Sequence, residues 1–274
     1  MDENRDEMKG ARADADQLRR GSGPFRWSSD ALTHRGRVRK TNEDACLDQP
    51  ARGLWAVADG MGGHSMGELA SRLVVESLMT VPAVHGLANF IDHARDRLQS
   101  ANRQLRIEAF TRAVESIGTT VAVLLASGRS CAYLWAGDSR IYLCRDGRLR
   151  QLTSDHSHVQ EVRSLSDPSA DDTVFRPPSN LITRAVGIAD TVDLEEGRID
   201  VVDGDIFLLC TDGLSNEVYD LEIRHALLPG SCRQATTALL EIALKRGGRD
   251  NISVVVVRAE DLQSSDRTGT NPAL

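Results

Sequence analysis

Short runs of Val, Ile, Leu, Tyr and Trp bounded by Gly, Asp or Asn recur along the chain, and each predicts a strand. They cover residues 25–32, 54–58, 119–126, 131–136, 140–145, 206–210 and 252–258. In IYLCRDGRLRQL the Asp146-Gly147 pair is a two-residue hairpin signal. Both positions of a two-residue hairpin turn want positive φ, so antiparallel pairing is predicted there. Three stretches carry a helical period instead. Over 67–79, Leu69, Ala70, Leu73, Val74 and Leu78 share one face, and 87–110 is long with a charged outer face. The stretch 231–246 opens on a capping box, Ser231 with Gln234, and stops at Gly247-Gly248. Its inward stripe is Ala235, Leu239 and Ile242. Two consecutive helices among hairpin-linked strands are not a regular βαβ alternation, and antiparallel sheet with helices packed outside, an α+β layered domain, fits better.

The ends lack any such period. Residues 1–22 mix both charge signs with Gly, Ala and Ser and are expected to form a disordered tail, and 263–274 a flexible one. One domain over 23–262 is expected between them. Its polar stretch 157–179, with Pro168, Pro177 and Pro178, reads as a mobile excursion over the body.

Composition narrows the class. The chain has 274 residues, 41% hydrophobic and 27% charged, with 40 acidic against 33 basic residues and a formal net charge of −7. That is the make-up of a soluble globular protein, and the acidic balance argues against a generic nucleic-acid binder. The longest apolar runs, such as 121–126 and 254–257, are too short to span a bilayer. The opening MDENRDEMKG lacks the basic and then apolar order of a secretory signal. A cytoplasmic protein that engages neither membrane nor nucleic acid is expected. Cys46, Cys131, Cys144, Cys210 and Cys232 show no CxxC spacing and read as free thiols, mostly buried, in a reducing compartment. No Cys or His stands at the spacing of a zinc site.

The chemical signal lies in where the aspartates fall. Asp59 follows LWAVA, Asp138 follows CAYLWAG, Asp212 follows IFLLCT, and Asp250 precedes NISVVVV. An ionised carboxylate at the end of a buried strand is costly unless that end opens into a polar cleft. If these ends converge, the carboxylates repel one another unless cations sit among them. Carboxylates without His or Cys select hard ions such as Mg²⁺ or Mn²⁺. In Asp59-Gly60 and Asp212-Gly213 the glycine also lets the backbone present a carbonyl to a metal. Asp and Gly also end strands simply as turn formers, and spacing alone leaves that reading open.

Eight strings in order resemble one family. They are GRVRKTNEDA (36–45), AVADGMGGHSMGELAS (56–71), GTTVAVLL (118–125), AGDSRIYL (136–143), LTSDHS (152–157), LITRAVG (181–187), LLCTDGLSNEV (208–218) and RDNISVVVV (249–257). The chain resembles the metal-dependent PP2C-type (PPM) protein serine/threonine phosphatases in their compact bacterial form, over about residues 25–258. The resemblance implies a four-layer αββα sandwich of two antiparallel sheets flanked by helices, with two Mn²⁺ or Mg²⁺ ions, and a third in some members, in a cleft at one end. It implies that Asp59 bridges the two ions with the Gly60 carbonyl on one of them, and that Asp212 and Asp250 hold the other. Glu43 and Asp44 would bind or orient metal-bound waters. Asp138 would help bind the third, weaker ion, with Asp212 shared. Arg39 matches the phosphate ligand, and 157–179 the variable flap that influences substrate choice. Phosphorylated proteins, in particular Ser/Thr kinases and their substrates, are the implied partners of a monomeric enzyme.

The implied reaction is direct hydrolysis of a phosphoserine or phosphothreonine ester by a metal-activated water. His64 is the nearest candidate by motif to protonate the leaving alkoxide, the alternative being a positioning or water-bonding role. Here the chain departs from the eukaryotic pattern, in which a His follows Asp-Gly directly, because Met61 takes that place. His156 reads as structural, and Thr119 and Thr120 as packing residues rather than nucleophiles. Cys46 to Arg52 and Cys144 to Arg150 match the Cys-x5-Arg spacing of cysteine-dependent phosphatases. That motif needs a loop of N–H groups around phosphate that opens a helix. Pro50 removes a donor from the first match and the Asp146-Gly147 turn interrupts the second, so both are rejected. The remaining rival is a catalytically weak, phosphoprotein-binding regulatory pseudophosphatase. Loss of a metal Asp would mark it, and Asp59, Asp212 and Asp250 are all present.

Overall fold

Strands that are apolar at successive positions must be covered on both faces, and three apolar layers in this protein do so. The computed structural model describes residues 25–62, 66–157 and 182–262. Both expected tails, His64 and nearly all of the 157–179 excursion lie outside the described residues.

The strands are β1 (Phe25–His34), β2 (Asp44–Gln49), β3 (Leu54–Met61), β4 (Gly118–Thr119), β5 (Val121–Ser127), β6 (Ser130–Ala136), β7 (Arg140–Arg145), β8 (Arg148–Gln151), β9 (Glu195–Asp200), β10 (Ile206–Cys210) and β11 (Ile252–Asp261). The helices are α1 (Met66–Met79), α2 (Leu87–Thr111), α3 (Asp212–Ser215), α4 (Asp220–Leu227) and α5 (Cys232–Lys245). One sheet has the order β1-β11-β10-β7-β8, and the other β2-β3-β5-β6-β9, with β4 pairing from β3. Every pairing is antiparallel.

The period of two sorts each strand between layers. In β11, Val255, Val257 and Ala259 face the other sheet, while Ile252, Val254 and Val256 meet Ile223 and Leu227 of α4 and Ala235 and Leu239 of α5. In β3, Trp55 and Val57 join the inter-sheet core, while Leu54, Ala56 and Ala58 pack with Ala70, Val74 and Leu78 of α1 and Leu98 and Leu105 of α2. The result is the αββα sandwich. The expected hairpin joins β7 to β8 through Asp146 (φ 51°) and Gly147 (φ 69°). At α5 the Gln234 N–H donates to Ser231 Oγ (3.3 Å), and the Ser231 N–H to Gln234 Oε1 (2.8 Å). Cys131, Cys144, Cys210 and Cys232 are buried, Cys46 half-buried, and all five are free. Among the described residues no helix is long and apolar enough to cross a membrane.

Candidate metal centre

The carboxylates meet because the two sheets bring their strand ends to one rim. Asp44 and Asp59 are direct cross-strand partners in the β2–β3 ladder. Asp59 lies inside β3 rather than beyond it, because β4 extends the pairing to Gly60 and Met61. From the other sheet, Asp212 opens α3 just after β10, and Asp250 stands just before β11. Asp138 sits between β6 and β7. Like charges directly opposite on a sheet repel. The fold nevertheless places Asp44, Asp138, Asp212 and Asp250 near enough to act on the Asp59 charge.

Neutral polar groups fix this geometry. Asn251 accepts from the Glu43 N–H (2.7 Å) and donates to the carbonyls of Arg35 and Thr41 (2.9 Å each), tying the segment that carries Arg39 and Glu43 to the start of β11. The Asp59 N–H donates to Thr120 Oγ1 (3.1 Å), and its carbonyl accepts from the Thr120 N–H and the Thr119 hydroxyl (2.9 Å each). The Gly60 N–H donates to the Glu43 carbonyl (3.1 Å). Gly60 and Gly67 of α1 are in backbone contact, and a Cβ on Gly67 would stand 2.7 Å from the Gly60 oxygen and 2.9 Å from the Glu43 carboxyl carbon. Only glycines allow helix, strand and Glu43 to approach so closely.

The carboxyl oxygens themselves are poorly supplied with donors. Asp44 Oδ2 accepts from the Thr211 hydroxyl (2.8 Å) and Asp212 Oδ2 from Asn216 Nδ2 (3.2 Å). Asp44 Oδ1 and Asp212 Oδ1 are buried with no partner at all. Asp250 accepts from the Asn251 N–H (2.8 Å) and from Arg39 (2.7 Å). Burial, reinforced by the Asp212 and Asp250 charges, lifts Asp44 from 3.8 to about 7 against the hydrogen bonds of Ser253 and Thr211. Burial and then the Asp212 charge lift Asp138 to about 7 as well. Asp59 is pushed well above the carboxylate range by burial and its four acidic neighbours, and Asp212 is raised by burial and Asp250. Hydrogen bonding to Asp250 raises Arg39, the guanidinium that enters the cluster.

Among the described residues, no three of these side chains already close on one point as a finished ligand set. What they present is an oxygen-only set, two of its oxygens buried and unpartnered, in a cluster that ionises with difficulty. Those features fit divalent hard ions that keep several waters. Sequence reasoning passed over Asn251, Thr211, Thr120 and Asn216, although three of them sit in the same strings as the acids and Thr120 was read as packing. His156 takes the structural place expected of it. It is buried, stacked on Trp135 with ring centroids 5.9 Å apart, and hydrogen-bonded at both ring nitrogens.

A double sheet between helices with an oxygen-only carboxylate rim that fits divalent cations defines the class of αββα sandwiches. The protein phosphatase 2C family model matches residues 33–253, and the chain belongs to this family of serine/threonine protein phosphatases. It is 36% identical to the serine/threonine protein phosphatase PstP of Mycobacterium tuberculosis over 251 residues, 89% of this chain and 46% of PstP. The chain therefore spans about half the length of that curated relative. Among solved structures, PppA of Pseudomonas aeruginosa, a key regulatory component of T6SS, is similar with a TM-score of 0.79 and 41% identity, over 85% of this chain and 97% of PppA. The catalytic domain of PstP in complex with two manganese ions gives 0.74 and 34%, over 86% of this chain and 100% of that domain.

Proposed function

We propose that this chain hydrolyses phosphoserine and phosphothreonine esters in proteins and that its substrates include Ser/Thr kinases and their targets. The observation that carries the reading is the pair of buried, unpartnered oxygens on Asp44 and Asp212 within a mutually repelling carboxylate cluster. A phosphoprotein-binding protein without catalysis has no use for such a cluster, which costs stability whenever it is empty.

Bound Mn²⁺ or Mg²⁺ ions would supply Lewis acidity and a water whose pKa is lowered into the neutral range. Asp59, with Asp44 across the ladder and Asp212 beside it, would be the ligand shared by two ions. The Gly60 carbonyl would add to the ligands of one, and Asp212 and Asp250 would hold the other. Glu43 and Asp44 would orient waters, and Asp138 with Asp212 would hold a weaker third ion. Arg39 is half-exposed at the rim, and its planar fork suits two phosphoryl oxygens better than an ammonium does. To receive substrate it turns from Asp250 to the phosphate. His64 is proposed to hand a proton to the leaving alkoxide.

Release of phosphate from a phosphothreonine peptide, followed with added Mn²⁺ and with chelator, tests the reading. Turnover is expected only with metal. Asp59→Asn, which removes a charge without removing volume, is expected to abolish turnover with the far-ultraviolet circular dichroism unchanged. Metal-independent turnover, or near-normal turnover by Asp59→Asn, refutes it.

A further inference from the structure

Two strings, LTSDHS and LITRAVG, take no part in the reaction proposed above; the first braces the loop that carries Asp138, and the second bonds to the first. Residues 152–156 run as a strap beside 135–141. Trp135 Nε1 donates to the Ser154 carbonyl (2.8 Å), the Ile141 N–H to Thr153 Oγ1 (3.1 Å), and the Leu152 N–H to the Ile141 carbonyl (2.7 Å). Arg140 forks onto Asp155, Nε to Oδ1 (2.9 Å) and Nη2 to Oδ2 (2.7 Å). His156 closes the strap: the Gly137 N–H donates to its Nδ1 (3.1 Å), and its own N–H donates to the Gly137 carbonyl (3.0 Å). From LITRAVG, the Thr183 N–H donates to the His156 carbonyl (2.9 Å).

These bonds define the imidazole's state. Nδ1 accepts from an amide, so it carries the lone pair, and Nε2 carries the proton directed at Glu195 (3.1 Å). Glu195 is itself held by Arg184 (3.1 Å). On the other side of Asp138, Ser139 Oγ bonds Thr120 Oγ1 (2.7 Å), the same hydroxyl that receives the Asp59 N–H. Asp138 is thus flanked by two anchored residues, Gly137 on His156 and Ser139 on Thr120.

We propose that His156 is a positioning residue for Asp138: its Nδ1 fixes the Gly137 amide and so aims the Asp138 carboxylate at the metal centre. The inference rests on the proposed reading of Asp138 as a ligand of the weakest ion. Polar groups that orient a ligand are worth about 10-fold or more in metal affinity. An imidazole that merely filled space would contribute nothing through Nδ1.

Two substitutions separate these roles, because Asn places an acceptor where Nδ1 stands and Gln places a donor where Nε2 stands. Calorimetric titration of Mn²⁺ into the metal-stripped full chain, with thermal melts alongside, provides the readout. Asp138→Asn is expected to lose the weakest class of sites. His156→Gln is expected to weaken that class about 10-fold while leaving the tighter sites unchanged, and His156→Asn to bind within about 3-fold of the parent. Parent-like binding by His156→Gln, or equal weakening by both variants, overturns the positioning role while the ligand role of Asp138 stands. Parent-like binding by Asp138→Asn overturns both. Should His156→Gln fail to fold, His156→Leu, which fills similar space without an acceptor, takes its place beside His156→Asn: a weak site about 10-fold weaker in the leucine variant alone supports the proposal, and a parent-like one refutes it.

Discussion

Asp44→Asn gives the sharpest test of whether the carboxylate rim is strained until cations fill it. Asp44 is 6% exposed and lies directly across the ladder from Asp59, with Oδ1 unpartnered. In the metal-free fold its carboxyl titrates near 7 rather than 3.8, chiefly because of burial. Between about pH 4 and pH 7 the folded chain therefore keeps a proton that the unfolded chain has released. Folded stability falls as pH rises through that window. At about 1.4 kcal/mol per pH unit the full effect is about 4 kcal/mol by pH 8, and water entering the open rim screens it toward about 2 kcal/mol. The asparagine keeps an acceptor for Thr211 and has no charge to lose. Urea denaturation in chelator is expected to show the variant equal to the parent near pH 4, and more stable by about 2 to 4 kcal/mol at pH 8. Saturating Mn²⁺ adds about 3 kcal/mol to the parent at a hundredfold excess over Kd and less to the variant, closing or reversing the gap. A variant less stable than the parent in chelator at pH 8, or a gap that ignores pH between 5 and 8, refutes the reasoning.

Three further substitutions probe separate parts of the rim. Asp138→Ala should reduce turnover most at limiting Mn²⁺, with the two stronger ions still bound; unchanged turnover across a metal titration removes Asp138 from the site. Arg39→Ala deletes a half-exposed side chain and should leave the melting temperature nearly unchanged. A lost charged hydrogen bond to phosphate is worth about 1.5 to 3 kcal/mol, so its KM for a phosphopeptide should rise about 10-fold or more, and a parent-like KM excludes Arg39 from phosphate binding. Gly67→Ala puts a methyl group 2.7 Å from the Gly60 oxygen and 2.9 Å from the Glu43 carboxyl carbon. It should cost about 1 to 3 kcal/mol and weaken Mn²⁺ binding, whereas an unaltered melt and unaltered Mn²⁺ affinity would show that this contact is slack.

Most of the double sheet is legible in the chain because its central strands are apolar on both faces: VAVLLA of β5 feeds two layers at once. The Asp-Gly turn and the Ser231 cap are local devices whose chemistry is complete within four residues, so they too can be read directly. β2 escapes because only Ala45, Cys46 and Leu47 stand between its aspartates. β9, Glu195–Asp200, alternates half-buried with exposed positions and has no apolar run. α3 is too short to show a period, and α4 offers only Ile223 and Leu227 to the core. For the site, the chain displays aspartates next to apolar runs but not their convergence, which depends on contacts such as Thr211 to Asp44, 167 residues apart. Family resemblance supplied that step. The supporting Asn251 and Thr120 are neutral and common residue types, and only their partners distinguish them.

Those partners explain how the rim stays both rigid and reactive. Asn251, Thr120 and Thr119 make their site bonds with backbone groups: the Glu43 amide, the Asp59 amide and carbonyl, and the carbonyls of Arg35 and Thr41. Hydrogen bonds given to the carboxyl oxygens would stabilise the ions without metal and compete with cations for the same lone pairs. Fixing the main chain instead leaves those lone pairs open, at the cost of raised pKa values and two orphaned buried oxygens. Thr211, Asn216 and the Asn251 amide each donate to one carboxyl oxygen, on Asp44, Asp212 and Asp250, and among the described residues the only cation that does so is Arg39, on Asp250. Arg39 is half-exposed at the rim, so it can leave without dismantling any buried network. In this fold Asn251, Thr119 and Thr120 hold the backbone that must not move, and the cation that must move holds a side chain.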